Sequence, residues 1–262
     1  MSISPVQVNK IDNLMVRVFS NREAMGIHAG KEIAEKIKSL LQEKEEIRVV
    51  FAAAPSQNEV LAYLAKDKDI DWSKIVAFHM DEYIGLSEGA SQSFGRFLSE
   101  KLFEKVKPKK IHLINGNNDS KDECKRYASL LKKKPIDIVC LGIGENGHIA
   151  FNDPPVADFE DNDTVKIVKL DRACRQQQVN DGCFTDIFDV PEKAITLTIP
   201  EIVSGEFLFC VVPGKTKAIA VHNVLKGTIT TEWPASILRR HPNCILFLDE
   251  ESYGDKINNA YN

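Results

Sequence analysis

The stretch with the most chemical information runs over residues 141–155 and reads LGIGENGHIAFNDPP. An apolar run over 136–141 leads into it and predicts a buried strand. Glycines in the turn that follows let the backbone bend sharply and approach a ligand closely. His148 stands at the end of that turn, and two prolines soon after it keep a helix from starting there. An imidazole on a glycine turn beyond a strand indicates a catalytic site.

The three glycines, Gly142, Gly144 and Gly147, also match the pattern G-x-G-x-x-G. In dinucleotide-binding proteins this pattern opens a helix whose N-terminus holds the pyrophosphate. Pro154 and Pro155 remove that helix, so a nucleotide cofactor is not expected. The plain alternative is a tight turn that carries a surface histidine.

The composition narrows the class of protein. A chain of 262 residues, 43% of them hydrophobic, is long enough for one large α/β domain with a sizeable core. The net charge is −4, and no basic stripe with interleaved aromatic residues occurs, so no nucleic-acid partner is expected. The sequence shows no secretory leader and no apolar run of membrane-spanning length. Six scattered cysteines without a C-x-x-C pair indicate a reducing, cytoplasmic setting and no zinc site.

Strand-like apolar runs alternate with helical patterns along the chain. The runs that predict strands are 47–53, 75–80, 110–114, 136–141, 165–170, 206–212 and 244–248. One helix is predicted to begin at Ser20, where Glu23 completes a capping box. The other predicted helices span about 57–65, 93–105, 121–131 and 216–225. This alternation is typical of a mostly parallel sheet covered on both faces, so we predict an α/β fold in one domain over 1–262.

Ligands of such sheets bind beyond the carboxyl ends of the strands. Polar groups follow four of the predicted strands, in the segments 54–58, 81–83, 142–148 and 213–217. Together these segments place a hydroxyl, two carboxylates, an imidazole and two ammonium groups on one edge of the sheet.

Lys217 stands in the first turn of a predicted helix, where a cation opposes the helix dipole. An anion bound by both the helix N-terminus and the lysine would resolve that conflict, whereas the plain alternative is a solvated lysine. Arg175 is a candidate for a second, bidentate contact to a phosphate, and Arg172 competes for the same role. A surface ion pair with Asp171 is the alternative for Arg175.

Asp81 and Glu82 follow a predicted strand, where a carboxylate serves either as a helix cap or as a base. Burial of one carboxylate, or repulsion between two, raises a pKa toward neutral pH. A carboxylate and His148 in one site suit a reaction in which one group moves a proton on carbon and the other on oxygen.

Three segments resemble the glucosamine-6-phosphate deaminase/isomerase family: MDEYIGL at 80–86, GIGENGHIAFNDP at 142–154 and GKTKA at 214–218. The resemblance covers nearly the whole chain. Residues 150–152 separate it from the related 6-phosphogluconolactonases, which diverge after the histidine. The resemblance implies a three-layer α/β/α sandwich with a Rossmann-like sheet that binds no nucleotide.

The resemblance also implies the reaction, in which glucosamine 6-phosphate and water give fructose 6-phosphate and ammonia without a metal or organic cofactor. Asp81 would move a proton from C2 to C1, and His148 would open the pyranose ring. Ser56, Arg175 and Lys217 match the positions that hold the phosphate. A mobile lid is expected at about 158–183.

Further candidate residues belong to the same site by position. Asn146 and Asp153 are assigned to the catalytic group beside the histidine. The remaining substrate-binding candidates are Gln57, Glu82, Gly144 and Gly147.

Five positions depart from the pattern of the family. Asn146 stands where an aspartate is common and supplies no charge, and Asp153 stands where glutamate is usual. The phosphate loop has Ala54-Pro55 in place of two glycines, and Pro55 has no N–H to donate. Val156 replaces a serine of the allosteric pocket, so strong activation by an N-acetylhexosamine phosphate is not expected.

Other functions stay open at this point. Galactosamine 6-phosphate is an alternative substrate, followed by a lactonase that needs no C2 base. A non-catalytic sugar-phosphate sensor ranks last, because both Asp81 and His148 are present. The sequence leaves open whether copies of the chain form a homo-oligomer.

Overall fold

The computed structural model describes residues 4–254, which form two sheets. The eleven strands within these residues are β1 (Gln7–Ile11), β2 (Leu14–Phe19), β3 (Ile47–Phe51), β4 (Ile75–His79), β5 (Asp81–Tyr83), β6 (Lys110–His112), β7 (Ile138–Leu141), β8 (Val165–Lys169), β9 (Lys193–Leu197), β10 (Phe207–Val212) and β11 (Cys244–Asp249). Eight of them form the main sheet in the order β1-β2-β11-β10-β7-β3-β4-β6. Every neighbouring pair in it is parallel except β1 and β2, so the predicted parallel sheet is confirmed.

The smaller sheet is antiparallel and has the order β5-β9-β8. It branches from the main sheet one residue after β4, where β5 begins at Asp81, opposite Thr196 of β9. The run at 165–170 is therefore a strand as predicted, but it belongs to this second sheet. The expected lid at about 158–183 contains β8, which pairs with β9 along its whole length. The mobility of that segment stays a prediction.

Helices cover both faces of the main sheet. They are α1 (Arg22–Glu43), α2 (Asn58–Lys66), α3 (Phe94–Leu98), α4 (Glu104–Val106), α5 (Ser120–Leu131), α6 (Arg172–Asn180), α7 (Ile199–Val203), α8 (Ala218–Lys226) and α9 (Glu250–Tyr253). Successive residues of β3 point into different cores: Val49 packs in a cluster with α1 and α2, and Val50 packs in a cluster with α5 and α8. The arrangement is the expected three-layer α/β/α sandwich.

The start of α1 differs from the prediction by one residue. Asn21, not Ser20, is the N-cap, because its side chain accepts a hydrogen bond of 2.9 Å from the backbone N–H of Ala24. Buried residues such as Ile33 and Ile37 recur along one face of the helix and attach it to the sheet.

The sequence did not predict the β1–β2 hairpin. The helix predicted at 93–105 is also less regular in the structure. β2 includes Arg17, and β1 alternates between partly buried and exposed residues, so neither strand shows a continuous apolar run. Between α3 and α4 the chain forms π-helical turns over Ser99–Phe103.

Two observations bear on the broad class of the protein. Within residues 4–254, no helix is both long and apolar enough to cross a bilayer. All six cysteines are free thiols, and Cys140, Cys210 and Cys244 are buried in the core.

Candidate active site

One cavity of about 270 Å³ opens at the carboxyl ends of the parallel strands. It receives the segments that follow β3, β4, β7 and β10, which are the four segments that the sequence placed on one edge. The predicted site residues that line it are Ser56, Asp81, Gly144, His148 and Lys217. Asn146 and Asp153 lie directly behind the histidine ring.

His148 is held by two side chains that both face Nδ1. This nitrogen lies 2.7 Å from Oδ1 of Asn146 and 3.0 Å from Oδ1 of Asp153. Asn146 Nδ2 also donates a hydrogen bond of 3.0 Å to Asp153. Because both neighbours of Nδ1 are acceptors, we assign the proton to Nδ1, which leaves Nε2 as the acceptor available to a ligand.

Asp153 provides the negative charge that Asn146 lacks. Its side chain is almost fully buried, and burial alone would raise its pKa. The charge and hydrogen bond of His148, with hydrogen bonds from Asn146 and the Asp171 backbone, outweigh that effect and hold the pKa of Asp153 below its ordinary value. Replacement of the family's aspartate by Asn146 therefore does not leave the histidine without a carboxylate partner.

Cys174 completes the cluster behind the histidine. Its Sγ, Nδ1 of His148 and an oxygen of Asp153 lie within 4.8 Å of one another, which is a grouping able to hold a metal ion. Metal binding requires a thiolate, but burial, followed by the charge of Asp153, raises the pKa of the Cys174 thiol well above its ordinary value. As a thiol, Cys174 forms a hydrogen bond with Asp153, whereas a bound metal ion would itself lower the pKa of the thiol.

Gly144 and Gly147 shape the turn around the histidine. A Cβ atom on Gly144 would lie 2.1 Å from Cε1 of His148, so the imidazole ring packs directly on the glycine backbone. Gly147 has φ +81°, and a Cβ atom there would lie 2.8 Å from the Trp233 ring. Both glycines are explained by packing of the turn, and only Gly144 lines the cavity.

Asp81 is buried at the cavity wall, with 6% of its surface exposed. Burial, with a smaller contribution from the charge of Glu82, raises its pKa well above that of an ordinary aspartate. A carboxyl group with a raised pKa is a stronger base when it is ionised, which suits proton abstraction from carbon.

Glu82, by contrast, does not line this cavity. Its carboxylate accepts hydrogen bonds from the Ser93 hydroxyl at 2.7 Å and from the backbone N–H groups of Phe94 and Gly95 at 3.2 and 3.0 Å. Glu82 therefore caps the N-terminus of α3, which is the helix-cap alternative that the sequence left open for this pair of carboxylates.

Gln57 is also outside the cavity and is 1% exposed. Its Nε2 donates to the backbone carbonyls of Leu141 and Val211 at 3.3 and 3.4 Å, and to the Ser56 hydroxyl at 3.2 Å. Gln57 thus ties the loop after β3 to the ends of β7 and β10, and its contacts position Ser56 at the cavity wall.

Lys217 also lines the cavity and is 6% exposed. Burial lowers its pKa, while the charges of Asp181 and Glu145 oppose part of that effect. Among residues 4–254, no side chain or backbone group forms a hydrogen bond or ion pair with its Nζ. A buried ammonium group without a direct partner marks the place where the site would receive an anion.

Neither predicted arginine reaches this cavity. Nη2 of Arg175 donates to the carbonyls of Ile187 and Val190 at 2.7 and 2.9 Å. Arg175 and Arg172 both line a different cavity on the other side of Asp153. The guanidinium group that lines the main cavity belongs to Arg22.

Sequence reasoning missed Arg22, Gln177, Gln178 and Asp181, which all line the cavity. Arg22 follows the carboxyl end of β2, so the rule applied to the other strands would have found it had β2 been recognised. Gln177 accepts a hydrogen bond of 2.8 Å from the Glu145 backbone, which joins α6 to the glycine turn.

Comparison with known proteins agrees with this geometry. Residues 20–246 match the family of glucosamine-6-phosphate isomerases/6-phosphogluconolactonase. A glucosamine-6-phosphate deaminase of Bacillus cereus (strain B4264) is 36% identical over 227 residues, which cover 85% of this chain and 84% of the relative. A glucosamine-6-phosphate deaminase of Bacillus thuringiensis (strain Al Hakam) is 35% identical over the same shares of both chains.

Two solved structures share the fold. A monomeric glucosamine-6-phosphate deaminase has a TM-score of 0.83 and 30% identity, over 91% of this chain and 98% of that one. A 6-phosphogluconolactonase from Thermotoga maritima has a TM-score of 0.75 over 90% of this chain and 100% of that one, at 21% identity. The second likeness concerns the fold alone.

Proposed function

The chain belongs to the family of glucosamine-6-phosphate isomerases/6-phosphogluconolactonase, and we propose that it is a glucosamine-6-phosphate deaminase. The reaction would convert glucosamine 6-phosphate and water into fructose 6-phosphate and ammonia. The observation that carries this proposal is one cavity with the buried carboxylate of Asp81, the oriented imidazole of His148 and the buried cation of Lys217. The six free thiols support a reducing, cytoplasmic location for the reaction.

His148 is assigned to opening of the pyranose ring. Nε2 would take the proton of the C1 hydroxyl and deliver it to the ring oxygen as the bond between C1 and that oxygen breaks, which yields the open-chain aldehyde and restores the neutral imidazole. Asp153 and Asn146 fix the plane of the imidazole ring through Nδ1, so Nε2 would already be oriented toward the substrate when it binds. The negative charge of Asp153 stabilises the imidazolium that forms during the transfer.

Asp81 is assigned to the proton transfer on carbon. Its carboxylate would remove the proton from C2 of the open-chain sugar while the C1 oxygen takes up a proton from water, which gives an enolamine. Asp81 would then return its proton to C1, and the nitrogen at C2 becomes an imine as it gives up one proton to water. Water then adds to the resulting C2 imine, and ammonia leaves to give the ketose. The buried setting that raises the pKa of Asp81 increases its strength as a base toward carbon.

Lys217 and Ser56 are assigned to the phosphate. A phosphate beside Lys217 would give this buried ammonium the direct partner that residues 4–254 do not provide, and it would also lie at the N-terminal end of the helical segment that leads into α8. Anchoring the phosphate holds C1 and C2 of the sugar at the groups that transfer protons.

The direct test is incubation of the purified protein with glucosamine 6-phosphate and measurement of ammonia and fructose 6-phosphate in equal amounts. Galactosamine 6-phosphate and 6-phosphogluconolactone are assayed in parallel. Equal release of ammonia and fructose 6-phosphate supports the proposal. Acid release from the lactone alone, turnover of galactosamine 6-phosphate alone, or binding without turnover would each contradict it.

A further inference from the structure

We infer that the guanidinium group of Arg22 is a direct ligand of the substrate's phosphate, an inference that rests on the proposed function. Arg22 is the first residue of α1 and follows the carboxyl end of β2. It lines the cavity together with Pro55, Ser56 and Lys217.

The protein holds the guanidinium through Nε and Nη2, and the side chain of Arg22 is 42% exposed. Nε and Nη2 of Arg22 donate to the two carboxylate oxygens of Glu59 at 2.8 and 3.1 Å, and Nη2 also donates to the carbonyl of Pro55. These bonds use three of the five N–H donors of an arginine. Among residues 4–254, no acceptor bonds to Nη1, so two donors remain for a ligand.

Close packing of α1 on α2 places Glu59 for this task. A Cβ atom on Gly26 would lie 2.2 Å from Cβ of Glu59, so the two helices touch at that point without an intervening side chain. Arg22 is one helical turn before Gly26 and therefore lies beside the same glutamate. The arginine is oriented before any ligand arrives, which lowers the entropy lost on binding.

Arg22 also compensates for Pro55. A proline at this position has no N–H, so the loop after β3 lacks one backbone donor for a phosphate. The carbonyl of the same proline accepts a hydrogen bond from Nη2, which ties the guanidinium to the loop that lacks the donor. The side chain of Arg22 thus supplies charged N–H groups next to the missing amide.

No other arginine predicted from the sequence is available for this role, because Arg175 and Arg172 line the second cavity. A phosphate monoester carries between one and two negative charges at neutral pH. Lys217 and Arg22 together carry two positive charges. The carboxylate of Glu59 neutralises part of this positive charge.

The test compares Arg22→Ala and Arg22→Lys with the wild type. We expect Arg22→Ala to raise the KM for glucosamine 6-phosphate and the Kd for inorganic phosphate, measured by calorimetry, by about 10- to 100-fold, the range for one charge-assisted contact. The kcat should change by less than about threefold, because the contact is equal in the ground state and the transition state. Arg22→Lys keeps the charge but not the fork of donors, so it should fall between the two.

Two further variants isolate the cause. Arg240→Ala removes an equal charge from an exposed position outside the cavity and should leave both constants within about twofold of the wild type. Arg22→Ala leaves the carboxylate of Glu59 without its cationic partner, and this carboxylate would then repel the phosphate. The double variant Arg22→Ala/Glu59→Gln shows how much of the lost phosphate affinity comes from that repulsion. A double variant that binds phosphate like the wild type would assign the whole effect to Glu59 and overturn the direct contact.

The outcomes separate this inference from the proposed function. An active wild-type enzyme with unchanged KM and phosphate Kd in Arg22→Ala would overturn the inference and leave the function intact. A wild type without deaminase activity whose phosphate binding still depends on Arg22 would overturn the function and support the inference. Should Arg22→Ala fail to fold, Arg22→Lys decides the matter by the same two constants.

Discussion

Two sets of residues at the cavity, which we call the proton-transfer end and the phosphate end after their proposed roles, treat charge in opposite ways. At the proton-transfer end, which comprises Asp81, His148, Asn146 and Asp153, the imidazole has protein partners at 2.7 and 3.0 Å before any substrate binds. At the phosphate end, which comprises Ser56, Lys217 and Arg22, the ammonium of Lys217 is buried and has no hydrogen-bond or ion-pair partner among residues 4–254. The imidazole must keep one orientation through the reaction, and the protein holds it by hydrogen bonds. The ammonium would bind a charged ligand, and its direct partner would be that ligand.

Two buried aspartates of the proton-transfer end show the same kind of contrast. Burial and the charge of Glu82 both raise the pKa of Asp81. Burial also acts to raise the pKa of Asp153, but the charge of His148 and the hydrogen bonds to the carboxylate outweigh it and lower that pKa. Asp81 is therefore prepared to take up a proton, and Asp153 is prepared to stay ionised. The environment of each carboxylate, and not its residue type, distinguishes their roles.

The largest expected effect is that of Asp81→Asn. We expect kcat to fall by about 100-fold or more while KM changes by less than about threefold, because loss of a general base affects the chemical step. Solvent deuterium should no longer enter the substrate at C2, as measured by NMR. Wild-type exchange at C2 in this variant would remove Asp81 from the mechanism and with it the contrast between the two aspartates.

At the phosphate end, Lys217→Met should raise KM by about 10- to 100-fold with a much smaller change in kcat. The same substitution should stabilise the ligand-free protein by on the order of 1 kcal/mol, because it removes a buried charge whose pKa is lowered by burial. Thermal unfolding with and without phosphate measures this second effect. A lower Tm for Lys217→Met than for the wild type in the absence of phosphate would show that Lys217 stabilises the ligand-free protein, which contradicts the prediction.

Asp153→Asn tests whether the histidine depends on its buried carboxylate. We expect kcat to fall by about 10-fold, and the free energy of unfolding at pH 7 to fall by roughly 1–3 kcal/mol, since buried donors lose their acceptor. The pKa of Asp153 is lower in the folded state, so its ionisation stabilises the protein at neutral pH, and that contribution is lost as the pH falls through the folded-state pKa. Urea unfolding at pH 7 and pH 3 should therefore show a smaller difference between variant and wild type in acid. An equal difference at both values would mean that ionisation of Asp153 contributes nothing.

The smallest expected effect concerns the pH profile, which separates the two ends of the cavity. The raised pKa of Asp81 predicts an acid limb of kcat at a higher pH than an ordinary aspartate would give. The lowered pKa of Lys217 predicts that KM begins to rise below the usual range of a lysine, because the cation is lost on deprotonation. Lys217→Met should abolish the alkaline rise of KM, by a few-fold at most, and leave the acid limb in place. A variant that moved the acid limb instead would show that the two ends are electrostatically coupled.

The sequence predicted those parts of the site that follow an apolar strand directly. Ser56, Asp81, His148 and Lys217 each come within a few residues of such a strand, and the carboxyl ends of parallel strands meet at one edge. The sequence did not predict Arg22 as a site residue, because the strand that precedes it, β2, contains Arg17 and therefore shows no continuous apolar run. Glu82 and Arg175 were named for their charge, but the structure uses them to satisfy backbone groups of α3 and of the segment 187–190.

The sequence alone therefore determined the layered α/β fold, the family and the elements that carry the reacting groups, because hydrophobic period and short motifs are local properties of the chain. Tertiary structure decided which carboxylate faces the cavity, which one supports His148 through Nδ1, and which arginine lines the cavity that Lys217 also lines. Those outcomes depend on burial and on hydrogen bonds between residues far apart in the sequence, such as Arg22 with Glu59 at 2.8 Å. Local patterns carry no information on such contacts, since the free energy of a buried charge depends on every group that surrounds it.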